Sequence, residues 1–139
     1  MIKHRTDISI RYGETDQMGY VHHSNYALFL EEARMDLFRT HGLDIVALEE
    51  VGIILPVVSM EIRYLMPLHF GNQITMETIL NPGNDLKLEM KYRIFNQKRR
   101  LVARASTALV FVEKNSGKLI PDFQKYLEPL TLKEEKIYE

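Results

Sequence analysis

The sequence predicts an α+β fold, with a curved antiparallel sheet of about five strands wrapped around one long central helix. Three observations carry that reading. One long apolar pattern of helical spacing comes early, between Ser24 and Gly42. After Gly52 the apolar period changes to two. The later strands are joined by short turns, which favours antiparallel neighbours. The 139 residues suffice for one core and are too few for two ordinary domains. A single domain over 1–139 is therefore expected, with its core at about 6–128 and a short C-terminal tail.

Thr6 to Tyr12 reads as the first strand, with Ile8, Ile10 and Tyr12 alternating with Ser9 and Arg11. Gly13-Glu14-Thr15-Asp16-Gln17-Met18-Gly19 follows as a loop between glycines. Ser24 or Asn25 supplies a capping oxygen for the long helix. Tyr26, Phe29 or Leu30, Ala33 and Leu37 then recur at helical spacing. Leu28, Met35 and Phe38 widen the apolar surface, so the helix is covered on more than one side. Gly42 stops it, and a shorter helix over Ile45 to Glu50 ends at Gly52.

Val58, Met60, Ile62 and Tyr64 alternate with Ser59, Glu61 and Arg63 as the next strand. Pro67 to Asn72 breaks the chain, and Ile74, Met76, Thr78 and Leu80 mark another strand. Asn81-Pro82-Gly83-Asn84-Asp85 is a turn. Leu86 to Ile94 places Leu86, Leu88, Met90, Tyr92 and Ile94 on a buried face and four charged residues on a wet one. Leu101 to Val112 is apolar on both faces apart from Arg104, Ser106 and Thr107, so it is central or covered on both sides. Asn115-Ser116-Gly117 turns the chain. The tail from Leu130, with Lys133-Glu134-Glu135-Lys136, reads as a short helix or frayed end.

Hydrophobic residues at 45% and charged residues at 27% are an ordinary globular balance. A net charge of −1 gives no support to a nucleic-acid partner. Lys98-Arg99-Arg100, between two strands, reads as a solvated hairpin tip. The absence of cysteine excludes disulfides, thiolate nucleophiles and Cys-ligated zinc. The N-terminus lacks the apolar core of a signal peptide, and no apolar run approaches the ~20 residues that cross a bilayer. A soluble cytoplasmic protein with no transmembrane segment is expected.

Chemistry concentrates between Tyr12 and Tyr26, which hold two acids, two histidines and three tyrosines. This segment links a strand to a helix N-terminus. The first turn of a helix offers unpaired N–H groups and positive partial charge, suited to a polarised carbonyl oxygen. A carboxylate on the preceding loop can attack that carbonyl or activate water. On residue types alone, Asp16 is equally a turn residue, His23 a structural hydrogen-bonding residue and Tyr12 a core residue. His22 and His23 are adjacent, so a His-x-x-x-His metal pair is absent and no metal site is expected. Ser24 lacks a Gly-x-Ser-x-Gly elbow and reads as a cap rather than a nucleophile.

Asp16-x-x-Gly19-x-Val21-x-His23-x-x-Tyr26, followed by Glu31-Glu32-Ala33-Arg34, resembles the signature of the hydroxybenzoyl-CoA thioesterase family of hot-dog proteins. It is most similar to the histidine-bearing acyl-CoA thioesterase branch. Pro56-Val57, Ile62-Arg63-Tyr64, Pro67 and Gly71-Asn72 resemble that family's second strand and following loop. The resemblance implies hydrolysis of an acyl-CoA thioester by a homodimer, paired edge to edge, with a tetramer as the larger assembly. It implies Asp16 as the catalytic carboxylate, His23 as the branch's histidine and Tyr12 as an assisting tyrosine. Gly19, Ser24 and Tyr26 would contact substrate, the amides near His23 and Ser24 polarising the carbonyl. No cofactor is implied, since CoA arrives as part of the substrate. An acyl carrier protein thioesterase and a non-catalytic acyl-CoA-binding module are the alternatives. Glu31 reads as structural, pairing with Arg34 across one helical turn. One departure stands out: some relatives carry a basic, phosphate-contacting cluster where this chain has Asn81 to Asp85.

Overall fold

The computed structural model describes residues 1–81 and 86–130. Its main sheet has five antiparallel strands in the order β1-β4-β5-β6-β3. These are β1 (Ile2–Ser9), β3 (Val57–Tyr64), β4 (Gln73–Asn81), β5 (Leu88–Phe95) and β6 (Leu101–Leu109). A two-residue strand β2 (Ile53–Ile54) pairs with β7 (Val112–Glu113). Helix α1 (Ser24–Thr40) is the long helix, and α2 (Ile45–Glu50) follows it. The α+β class and the expected strand number are both observed.

The core lies between α1 and one face of the sheet. Tyr26, Phe29, Leu30, Ala33, Leu37 and Phe38 are all buried on α1. They meet the inward rows Ile74, Met76, Leu80 of β4 and Leu88, Met90, Tyr92, Ile94 of β5. Leu37 has no exposed surface, so truncating it to Ala would cost ~2–5 kcal/mol. The C-terminal stretch closes the core: Phe123 stacks on Phe111 at 4.8 Å, and Leu127 and Leu130 are buried. At the far end of α1, Gly42 takes φ 88°, and the Leu43 N–H donates to the Phe38 carbonyl at 2.9 Å. That is the glycine stop the sequence predicts. Asp44 caps α2 by accepting from the Ala47 N–H at 3.0 Å.

Several sequence expectations are corrected. β1 starts at Ile2 and ends at Ser9, so Tyr12 is not a strand residue. The ladder runs out where β4 begins at Gln73, and Tyr12–Glu14 forms a 3₁₀ turn. Tyr12 is therefore 77% exposed instead of buried. Leu86 precedes the β4–β5 ladder and is exposed, leaving Leu88 to begin the buried face. The expected last strand divides into β6 and β7. The division lies opposite Pro56, which separates β2 from β3 and has no N–H to give a ladder. β6 is flanked on both sides, by β5 and β3, as its two apolar faces predict.

Neither Ser24 nor Asn25 caps α1 with its side chain. His23 occupies the cap position, and the Ser24 N–H donates to His22 Nδ1 at 3.2 Å. Arg34 is buried and donates to the Tyr92 hydroxyl at 3.4 Å rather than pairing with exposed Glu31. That hydroxyl also bonds Thr107 Oγ1 at 2.8 Å, tying helix to sheet. β3 alternates in sequence, yet only Ile62 is even partly covered, because α1 packs over β1 and β4, at the opposite side of the sheet. The turn at 82–85 and the tail from 131 lie outside the described residues.

Candidate active site

The site loop is built from the 3₁₀ turn upward. Buried Glu14 closes it by accepting from the Arg11 N–H at 2.7 Å and the Arg11 guanidinium at 3.3 Å. Its carbonyl then accepts from the His22 N–H at 3.0 Å and from Asn25 Nδ2 at 2.9 Å. One residue thus fastens the loop to the start of α1. Sequence reasoning missed that role, although the spacing of Arg11 and Glu14 suits such a closure.

Asp16 sits on the exposed far side of this frame. Its Oδ1 accepts from the Met18 N–H at 2.9 Å and the Tyr20 N–H at 3.1 Å. Its own N–H donates to the Tyr20 carbonyl at 2.7 Å, and the Gly19 N–H donates to the Asp16 carbonyl at 3.0 Å. Gly19 adopts φ 82°, a left-handed conformation that side chains resist, so glycine lets the loop turn here. Two backbone N–H donors hold Oδ1 in place. Oδ2 meets no protein donor among the described residues.

The start of α1 presents a specific pattern of amides. The Ser24 N–H is taken by His22 Nδ1, the Asn25 N–H by the His22 carbonyl at 3.0 Å, and the Tyr26 N–H by the His23 carbonyl at 3.2 Å. The His23 N–H meets no acceptor among the described residues. The ring of His23 is exposed and lies against that of His22, tilted by 32° with centroids 4.2 Å apart. The Ser24 hydroxyl is engaged with His22 Nδ1 at 2.8 Å.

Tyr12 and Tyr26 lie in different surroundings. The Tyr12 ring meets Phe70 edge-on at 5.7 Å. Tyr26 is 3% exposed and meets Tyr64 edge-on at 4.8 Å. Burial, with the nearby Tyr64 adding to it, pushes the Tyr26 hydroxyl up to about 12. The structure therefore holds Asp16, Gly19, His23 and Ser24 on one short connected segment, with Tyr26 beneath it in the core.

A second loop, from Pro67 to Asn72, backs the first. The Val21 N–H donates to the Leu68 carbonyl at 2.8 Å, and Tyr20 pairs with His69 as an isolated bridge. Their rings lie 4.7 Å apart. His69 is a neighbour that sequence reasoning did not single out. Nothing local marks it, because its partner lies almost fifty residues away. Among the described residues, no three His, Asp or Glu side chains gather as a metal site, and no helix is long and apolar enough to cross a membrane.

Similarity to known proteins agrees with this arrangement. The chain is 35% identical over 116 residues, 84% of each chain, to the putative acyl-CoA thioesterase YneP of Bacillus subtilis (strain 168). It is 27% identical over 109 residues to the acyl-CoA thioester hydrolase YbgC of Escherichia coli O157:H7, covering 78% of this chain and 81% of that one. The crystal structure of a DHNA-CoA thioesterase from Staphylococcus aureus superposes with a TM-score of 0.87 at 31% identity, over 99% of this chain and 92% of that one. The helix-and-sheet arrangement is thus the hot-dog fold. The model of the thioesterase-like superfamily matches residues 10–130, from the end of β1 to the last buried leucine, and the chain belongs to that superfamily.

Proposed function

We propose that the protein is an acyl-CoA thioesterase: water and an acyl-CoA give the free acid and CoA. The observation that carries this reading is the pairing of a fixed carboxylate with an unclaimed amide. Asp16 is held through Oδ1 by two N–H donors, and the nearby helix start leaves the His23 N–H open. The carboxylate supplies the attack, and the amide stabilises the oxyanion, commonly worth a few kcal/mol per well-placed donor.

In the mechanism, the thioester carbonyl oxygen accepts from the His23 N–H. Asp16 Oδ2 then attacks the carbonyl carbon, giving an anhydride that water cleaves, or it takes a proton from an attacking water. One turnover in isotopically labelled water separates the routes, because only the anhydride route can leave label in Asp16. The His23 imidazole orients the thioester or gives a proton to the departing thiolate. Tyr12, on its exposed turn, assists from the side of Phe70. Gly19 and Ser24 shape the carbonyl site, and Tyr26 backs the acyl pocket through half-exposed Tyr64. No metal or cofactor takes part.

The working unit is a homodimer joined through the β3 edge. This edge exposes Val57, Val58, Met60, Tyr64 and Leu65, an apolar row beside unpaired backbone groups. Size-exclusion chromatography with light scattering tests the dimer, and a mass of one chain at micromolar concentration would sink it.

A panel of aliphatic and aromatic acyl-CoAs, with acyl carrier protein thioesters beside them, tests the activity by release of free thiol. Hydrolysis of at least one CoA thioester is expected. Turnover of carrier-protein thioesters alone would reassign the substrate, and no turnover at all would favour a binding module.

A further inference from the structure

The proposed reaction leaves the nucleotide end of the substrate without a grip, and the hairpin between β5 and β6 offers one. Its tip carries Lys98, Arg99 and Arg100. Asn96 braces it: Oδ1 accepts from the Lys98 N–H at 2.9 Å and the Arg100 N–H at 3.1 Å. Arg99 takes φ 61°, a left-handed conformation uncommon for such a residue. The effect is to split the three cations. Lys98 and Arg100 line one groove, and Arg99 lines another on the outer face of the sheet beside Arg5 and Glu77.

The Lys98–Arg100 groove has a volume of about 240 Å³. Its other walls are Met66, Pro67, His69, Asn72 and the Asn96–Gln97 turn, with no carboxylate among them. Neither Lys98 nor Arg100 forms an ion pair among the described residues. Arg63 and Arg93, by contrast, sit beside Glu61 and Glu77. Two unpaired cations facing amides suit an anion with several oxygen atoms.

The groove is also joined to the site loop. Gln97 Oε1 accepts from the Gln73 N–H at 2.9 Å and from Asn72 Nδ2 at 3.4 Å. Asn72 Oδ1 accepts from the His69 N–H at 2.8 Å, and the His69 ring lies against Tyr20. Tyr20 donates its N–H to Asp16. A CoA thioester carries its phosphates at the end of a long unbranched arm, so a phosphate site belongs at a remove from the carboxylate, on the same rigid frame.

We propose that Lys98 and Arg100 hold the phosphate groups of the acyl-CoA, with Asn72 and His69 completing the wall. This rests on the thioesterase reading above and names the grip that reading lacks. The test compares the wild type with the double variant Lys98→Ala/Arg100→Ala on two substrates. One is an acyl-CoA; the other is the same acyl group on N-acetylcysteamine, which has no phosphate. At low ionic strength the double variant should raise KM for the acyl-CoA about tenfold or more, with kcat kept. KM for the N-acetylcysteamine thioester should not change.

An unchanged KM for the acyl-CoA overturns the proposal. So does an equal loss on both substrates, which marks damage to the frame. Arg99→Ala is the charge control, and an effect as large as that of the double variant also overturns it. A 3′-dephospho-CoA thioester identifies the phosphate held: a vanished difference points to the 3′-phosphate, a persistent one to the diphosphate. If the wild type hydrolyses nothing, the thioesterase reading fails by itself. Calorimetric titration of CoA into both proteins then decides the clamp, and equal affinities would end it.

Discussion

At the C-terminal half of α1, Asp36 collects three donors; at and before its N-terminus, the His23 N–H meets no acceptor and one oxygen of Asp16 no donor among the described residues. Asp36 Oδ2 accepts from Thr6 Oγ1 at 2.7 Å and bonds His4 Nε2 at 2.8 Å, and its Oδ1 accepts from Arg39 Nη2 at 3.2 Å. Both ends contain a carboxylate, a histidine and a neighbouring hydroxyl. One set is saturated and fastens α1 to β1. The other is braced on one side and open on the other. Similar residue types therefore do opposite work, and hydrogen-bond saturation separates them.

The largest effect should come from opening the contrast at its proposed reactive end. Asp16→Asn keeps the loop's acceptor oxygen and removes the charge. Hydrolysis should fall at least about 100-fold, or ~2.7 kcal/mol of barrier, with Tm unmoved. A variant retaining most of the wild-type rate would take Asp16 out of the mechanism and collapse the distinction between the two ends.

Asp36→Asn is the counterpart. It should cost ~1.5–3 kcal/mol of stability, because charge-assisted bonds are lost, and leave kcat/KM alone. Burial pushes the Asp36 carboxyl up, but hydrogen bonds from Thr6, His4 and Arg39 and the charge of His4 outweigh it, so its pKa is lowered. A lowered pKa makes this contribution complete above the ordinary carboxylate value of ~4 and lost as pH falls through the folded value. The gap in Tm between wild type and Asp36→Asn should therefore be widest near neutrality and close in acid. A gap that widened in acid would contradict the network.

Gly42→Ala forces a Cβ into a left-handed residue at the saturated end and should cost ~1–2 kcal/mol by denaturant midpoint. Smallest is His22→Ala, which removes the ring nitrogen that receives the Ser24 N–H. A loss of ~1 kcal/mol or less is expected, together with a changed KM if the helix start binds substrate. An effect on Tm larger than that of Asp36→Asn would mean that the open end carries the stability after all.

Much of the frame is legible along the chain because it is written in local chemistry. α2 is found at its predicted residues, with Gly52 just past its end. Ile74 to Leu80 and Leu88 to Ile94 are read from period two alone. The Asp16 loop was legible as a loop because of its glycines. What fails is whatever depends on a distant partner. Tyr12 reads as a strand residue because nothing near it says that β4 starts only at Gln73. The alternation of β3 predicts a covered face, but α1 lies over β1 and β4 at the other side of the sheet and leaves that face bare. The bonds of Asp36 to Thr6 and His4 span about thirty residues, and no spacing rule reaches that far. Ser24 is not the cap that its residue type predicts, because an imidazole nitrogen supplies the acceptor that a serine oxygen usually gives.

The bare edge of β3 also governs how the protein must be handled. A strand with a free row of donors and acceptors beside Val58, Met60 and Tyr64 is a template for any extended chain it meets. In a proposed dimer, dilution strips that edge of its partner. Apparent Tm should then rise with protein concentration.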